Sequence, residues 1–320
     1  MNFELPDTAE QLRVTLRRWI DAEILRRGSI EAFNENEWRS FLSWELLSPD
    51  FGDYLHRVVG LMETARAGLL GPVLEAYLAV CADRSGDADA ALHRGMVVTS
   101  VAPVRPGPVL VGWGGAADLV FDQRSGVKLA NSKLPLAKLA YSVPHGWLDQ
   151  EFVGQPDPLQ AERWFVASAL IAGIIDGALE LTAEHVIERQ QFGKSLATFQ
   201  AVQFPLAELK VWNDGVRLCA LDTATQRDRG DLRWELSSAL SWLNAVRAAE
   251  RATKVCHQSF GALGFCNETG LVQLTTALTW LRLSVGVRSA QQRVLASRKH
   301  YLEHDHSTEP SCLVLEGFAV

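Results

Sequence analysis

From Met1 to about Gly86 the apolar residues recur at helical spacing. Leu12, Val14, Leu16, Trp19 and Ile20 are interleaved with arginines. Pro6-Asp7-Thr8 offers a cap before this first helix, with Glu10 in its opening turn. A second helical segment is predicted over Glu35 to Leu47 and a third over Arg57 to Ala82. Gly60, Gly68 and Gly71 thin one face of the third, which suits close helix packing.

The pattern then changes. Met96-Val97-Val98-Thr99-Ser100-Val101, Val109-Leu110-Val111-Gly112-Trp113, Asp118-Leu119-Val120-Phe121 and Gly126-Val127-Lys128-Leu129 are short β-type runs. Pro106-Gly107-Pro108, Gly114-Gly115 and Gln123-Arg124-Ser125-Gly126 separate them, which predicts a small antiparallel sheet or barrel.

The C-terminal half predicts four long helices. Asp157-Pro158 is placed to cap the first, which runs to about Phe192 with Glu162 in its opening turns. Ala169, Gly173 and Gly177 form a small-residue stripe on it. The others span about Phe199–Arg229, Leu232–Phe260 and Gly270–Lys299. Short connections make them antiparallel neighbours in a four-helix bundle. The fold class is mainly α with a small β domain. The predicted units are an N-terminal helical domain (1–86), a small β domain (87–154), the C-terminal bundle (155–300) and a tail (301–320).

Composition narrows the function. The chain has 320 residues and a net charge of −7, which argues against a nucleic-acid surface. No run of about 18 apolar residues is evident, so no membrane span is expected. The N-terminus lacks the basic-then-apolar order of a signal peptide. Five cysteines (Cys81, Cys219, Cys256, Cys266 and Cys312) show no paired spacing and read as reduced thiols, which points to the cytoplasm. His300, His304, Asp305 and His306 fit no defined metal-site spacing and read as a solvated tail; no metal is expected.

The chemistry concentrates between the first two bundle helices. Phe192-Gly193-Lys194 lies where a glycine can supply a positive φ at a helix end. Arg189 falls in the last turn before it, offering a planar fork of donors suited to phosphate. The run Arg189-Gln190-Gln191-Phe192-Gly193-Lys194, followed by Phe199-Gln200-Ala201-Val202-Gln203, resembles the signature of the acyl-CoA dehydrogenase family. The likeness covers about Pro158 to Arg298 and, weakly, the N-terminus, where Phe3-Glu4-Leu5 resembles the family's lead into its first helix. Trp113-Gly114-Gly115-Ala116-Ala117-Asp118 resembles a turn of the family's middle β domain.

The resemblance implies an FAD-dependent oxidoreductase of β-oxidation type, acting on an acyl-CoA thioester. In that family the motif's arginine and phenylalanine reach the FAD of a neighbouring subunit. It implies cofactor-binding roles for Arg189, Gln191, Phe192, Gln258 and Gly261. The family's own-subunit flavin strand is present only as Thr99-Ser100-Val101-Ala102-Pro103; no glycine-serine turn follows, and Pro103, Pro106 and Pro108 remove donors.

The family's catalytic glutamate can occupy two places. Gln258-Ser259-Phe260-Gly261-Ala262-Leu263-Gly264-Phe265 sets the register, and the two places fall on Val285-Gly286-Val287 and on Arg247. Neither holds a carboxylate. Glu250 and Glu268 are the fallback bases, or simply surface carboxylates. The pattern resembles the short, degenerate subunits of actinobacterial heterotetrameric acyl-CoA dehydrogenases, which act on steroid-derived CoA thioesters in cholesterol degradation. It implies a longer partner chain, an α2β2 assembly, FAD shared at the interface and acyl-CoA bound mainly in the partner. The alternatives are a non-catalytic scaffold without flavin and a homo-oligomeric enzyme using Glu250 or Glu268.

Overall fold

The computed structural model describes residues 5–25, 34–68, 71–102, 109–135, 146–148 and 157–304, without the side chains of 23–25 and 299–304. The predicted lead at Phe3, the prolines Pro103, Pro106 and Pro108, Cys312, Asp305, His306 and the tail beyond them lie outside these residues.

The N-terminal part holds α1 (Asp7–Leu25), α2 (Glu35–Leu42), α3 (Tyr54–Arg66), α4 (Val73–Ala82) and α5 (Asp87–His93). Asn34 caps α2, its side chain accepting from Asn36 N at 2.8 Å, and Asp53 caps α3, accepting from His56 N at 2.8 Å. The segment Arg57–Ala82, expected as one helix, is two. Gly68 takes φ 69°, and Pro72 starts α4 with no amide to continue the earlier ladder. Gly68 and Gly71 therefore belong to a connection, and only Gly60 thins a helix face.

The β region is mixed, not antiparallel throughout. β1 (Val98–Val101) pairs in parallel with β3 (Leu119–Asp122), which pairs antiparallel with β4 (Lys128–Ala130). β2 (Val109–Val111) leaves this sheet and pairs with β5 (Gly146–Leu148). Alternation along a strand sets which face is buried; it carries no information about the direction of the neighbour. The turn between β2 and β3 is tied to the start of β1. Asp118 Oδ2 accepts from Val97 N, and Asp118 N donates to Val97 O, both at 2.8 Å.

The bundle consists of α6 (Gln160–Glu188), α7 (Gln200–Asp228), α8 (Trp234–Phe260), α9 (Leu271–Val285) and α10 (Arg288–His304). The expected fourth helix breaks at Gly286, which adopts φ 68° and ψ 168°, outside the helical region. Asp157 does not cap α6 directly. It accepts from Leu159 N at 3.0 Å one turn early and pairs with Arg163 at 2.7 Å. Helix α6 is long and apolar enough to cross a membrane by length and composition, contrary to the sequence reading. Yet 78% of its most apolar window is buried inside the fold, so it reads as a core helix.

α6 packs against α3, α7, α8 and α9. Its small-residue stripe admits α3 at backbone distance: a Cβ on Gly173 would lie 2.2 Å from Met62 O, and one on Gly177 2.0 Å from Arg66 O. A buried ion pair joins the same layers. Arg227 of α7 donates through both terminal nitrogens to Glu162 of α6, which also accepts from Tyr77 Oη at 3.0 Å. The Arg227 guanidinium lies 3.8 Å from the Tyr54 ring centroid and 4.4 Å from that of Trp234. On the other side of α3, buried Glu63 accepts from Arg17 and Arg66 at 3.0 Å each.

Gly→Ala in a helix interior ordinarily stabilises by about 0.5–1 kcal/mol. Gly177→Ala should reverse that sign, losing about 2–3 kcal/mol by overpacking against Arg66 O. The urea midpoint measures it; an unchanged or raised midpoint would mean that α3 is not seated on α6.

Candidate functional site

The sequence motif after α6 folds as a tight hairpin, not as a glycine-terminated helix. The helix stops at Glu188, and Arg189 is extended (φ −72°, ψ 122°), its N–H donating to His185 O at 2.9 Å. β6 (Gln190–Gln191) pairs antiparallel with β7 (Lys194–Ser195). The two residues between them, Phe192 and Gly193, have φ 53° and 78°. Positive φ at both centres is the hairpin turn whose twist suits its strands. For a phenylalanine this conformation costs on the order of 1–2 kcal/mol. Ser195 ties the hairpin down: its hydroxyl lies 2.8 Å from both Val186 O and Ile187 O, serving carbonyls that the helix end leaves open.

The strained turn holds Phe192 out in solvent, 91% exposed. Its ring meets Phe199 edge-on at 6.2 Å, and Lys194 Nζ sits 4.3 Å from the Phe199 centroid. Arg189 and Gln191 are exposed beside it.

The second group of predicted residues ends α8. Gln258 is exposed, and Gly261 follows Phe260 with φ 62° and ψ −140°, a backbone that favours glycine. Phe260 stacks on His185 at 4.2 Å with 12° between the planes. That stack joins the ends of α6 and α8, so the Arg189 hairpin and the Gln258–Gly261 turn share one end of the bundle. Residues that sequence reading did not single out complete the ledge. His257 Nε2 lies 2.9 Å from Thr275 Oγ1, and its ring stacks at 4.5 Å on Phe265, itself 71% exposed. The only sequence signal for them was adjacency to Gln258 and Gly264. Burial lowers the His185 pKa, with Arg189 adding to the effect, and burial lowers that of His257.

The two base positions hold no carboxylate. Val285 ends α9, Gly286 O accepts from Trp242 Nε1 at 2.6 Å, and Arg247 lies exposed on α8. The fallback residues are surface groups. Glu250 accepts from Arg282 with its side chain 57% exposed, and Glu268 is exposed in the 3-10 turn Asn267–Thr269. Neither lies in the dry surroundings that raise a general base's pKa.

The remnant flavin strand spends its hydroxyls internally. Thr99 Oγ1 donates to Gly112 O at 2.7 Å, and Ser100 donates to Glu75 O while accepting from Gln123 Nε2 at 2.8 Å. A Cβ on Gly112 would lie 2.6 Å from Trp280 Cζ2 and 3.3 Å from Glu75 Oε1. Glu75 is buried, and burial raises its carboxyl pKa against a hydrogen bond from Trp280. The donors that a flavin would need on this side are committed to protein, so the residues here do not fit the cofactor. The exposed donors at the Arg189 end do fit a dinucleotide.

The profile of the acyl-CoA dehydrogenase C-terminal domain matches residues 156–299. The C-terminal half of this chain belongs to the acyl-CoA dehydrogenase family. The chain is 34% identical over 101 residues to a probable short/branched chain specific acyl-CoA dehydrogenase of Dictyostelium discoideum, covering 32% of this chain and 24% of that protein. It is 32% identical over 130 residues to the probable acyl-CoA dehydrogenase FadE25 of Mycobacterium tuberculosis, covering 41% of this chain and 33% of that protein. The chain thus spans about a quarter to a third of the length of these relatives. The fold likeness extends further. The ChsE4-ChsE5 complex from Mycobacterium tuberculosis matches with TM-score 0.72 at 20% identity over 96% of this chain and 100% of the matched chain. Butyryl-CoA dehydrogenase from Megasphaera elsdenii matches with TM-score 0.72 at 15% identity over 93% of this chain and all of the other. The acyl-CoA dehydrogenase-like fold therefore covers both halves.

The two histidines give the site a pH signature. A histidine whose folded pKa is lowered leaves the native state with fewer protons than the unfolded chain. Its contribution is whole above the unfolded pKa of about 6.5 and is lost as pH falls below it. The urea midpoint should therefore fall between pH 7.5 and 5.5, and His257→Gln should flatten that slope. A midpoint that stays level or rises on acidification would contradict the burial of these rings.

Proposed function

We propose that this chain is one subunit of a heteromeric FAD-dependent acyl-CoA dehydrogenase of the cytoplasm. The complex introduces an α,β double bond into an acyl-CoA. The observation that carries the reading is an asymmetry within one chain. The exposed end carrying Arg189, Gln191, Phe192, Gln258 and Gly261 keeps its donors available, while Thr99 and Ser100 on the other side are bonded to Gly112 and Glu75. A longer acyl-CoA dehydrogenase chain supplies the flavin cradle, the catalytic carboxylate and most of the acyl-CoA site, in an α2β2 assembly. The neighbour ChsE4-ChsE5 is itself a complex of two named components, which supports a two-chain enzyme. We extend the proposal to a steroid-derived acyl-CoA as substrate class, on the resemblance to short steroid-type subunits alone.

FAD, when bound, supplies the hydride acceptor. This chain's residues bind and orient it. Arg189 offers two parallel donors to the pyrophosphate, with a charge-assisted strength that lysine's point charge does not match. Gln191 and Gln258 add neutral donors. Phe192 presents an apolar face from a turn already strained into place, and Gly261 lets backbone approach closely. No group of this chain takes the substrate proton.

In a complex co-expressed with a longer acyl-CoA dehydrogenase chain, Arg189→Ala should loosen FAD about 10- to 100-fold, with Arg189→Lys between. Flavin fluorescence released on dilution reads this, with size checked in parallel. FAD held as tightly as in the wild type would reduce Arg189 to a helix-end arginine and remove the main support for the proposal.

Glu250→Gln and Glu268→Gln should leave turnover of that complex within about three-fold, because loss of a true general base costs on the order of 100-fold or more. A collapse of that size from either, with FAD bound and the complex intact, would assign the base to this chain.

A further inference from the structure

We infer that the outer face of α7 is a contact between two copies of this chain, with its two-fold axis at Val211. Phe204, Val211 and Leu218 are 64%, 71% and 38% exposed. They recur every seventh residue and so lie on one stripe of the helix. Ala207 and Gly215 lie on the same stripe and are exposed. The spacing is symmetric about Val211. An antiparallel copy of the helix sets Phe204 opposite Leu218 and Ala207 opposite Gly215, each pair in both directions. Large residues meet large ones, and small residues meet small ones. This reciprocity defines an isologous two-fold contact. A chain of different sequence would not require α7 to mirror itself.

Gly215 is the second, independent observation. It lies in mid-helix, where glycine is disfavoured, and a Cβ there would meet nothing within 4 Å. Gly173 and Gly177, by contrast, each face a neighbouring backbone at contact distance. Nothing inside this chain explains Gly215; the close approach of another helix does. The acids beside the stripe are neutralised within the chain, so like charges do not confront each other across the axis. Asp214 is 2.5 Å from Lys210, and Glu208 accepts from Arg251.

The contact lies on the flank of the bundle and uses none of the proposed FAD residues. A failed flavin test would leave it standing, and its own test does not read flavin. The test uses the full chain, alone and co-expressed with a longer dehydrogenase chain. Helices packed at about 8 Å bring the Cα atoms nearest the axis within disulfide range. Mild oxidation of Val211→Cys should therefore give a reducible dimer of this chain, absent from the wild type, whose own cysteines serve as the control. Phe204→Cys and Leu218→Cys should each link poorly alone and efficiently when mixed, which fixes the register. Val211→Asp should weaken self-association at least ten-fold by sedimentation. The inference is overturned if Val211→Cys fails to self-link or links to the partner chain, if the mixed pair links no better than either alone, or if Val211→Asp leaves the assembly's mass unchanged.

Discussion

Helix α6 can serve as the spine of this molecule because α3 reaches its backbone. Two glycines, Gly173 and Gly177, leave the carbonyls of Met62 and Arg66 where side chains would otherwise stand. With α3 seated there, α6 is enclosed by α3, α7, α8 and α9 and can be apolar around most of its circumference. That enclosure accounts for a hydropathy otherwise suited to a membrane. It also sets where α6 ends, and hence where the Arg189 hairpin emerges.

Polar interactions inside the fold specify how the layers meet. The Glu162–Arg227 pair lies between α6 and α7, and Tyr77 of α4 and Tyr54 of α3 close around it. A buried pair of this kind contributes little net stability, but leaving either charge alone is costly. It therefore penalises any other docking of the N-terminal helices on the bundle. Glu63, with Arg17 and Arg66, acts likewise between α1 and α3. The β region follows the same economy: Thr99 and Ser100 satisfy buried carbonyls of Gly112 and Glu75. Those bonds rigidify the junction and remove the hydroxyls from any ligand.

The site is the reverse of that interior. Strain at Phe192, exposure at Arg189 and Gln258, and stacked rings at His185–Phe260 and His257–Phe265 are unfavourable or indifferent for an isolated chain. They make sense where a second surface or a dinucleotide completes them. The exposed stripe on α7 repeats the logic on another face.

Much was determined by the sequence alone. Periodicity located the helices and the short strands, because burial on one face writes itself into spacing. The small residues of α6 announced a close neighbour, and the order Arg189 to Lys194 announced a family whose C-terminal domain the chain carries. The absence of a carboxylate at 247 and 285–287 was equally plain. The parallel pairing of β1 with β3 was not legible, since alternation along one strand is silent about its neighbour's direction. Gly286 and Gly68 could have been tolerated inside helices; only the packing around them decided that they break the chain there. A positive φ at Phe192 runs against its residue type, so no propensity would have placed it; the hairpin exists because Ser195 and the end of α6 hold both its strands. The His185–Phe260 stack joins positions 75 residues apart, and such a contact becomes visible only when α6 and α8 lie side by side.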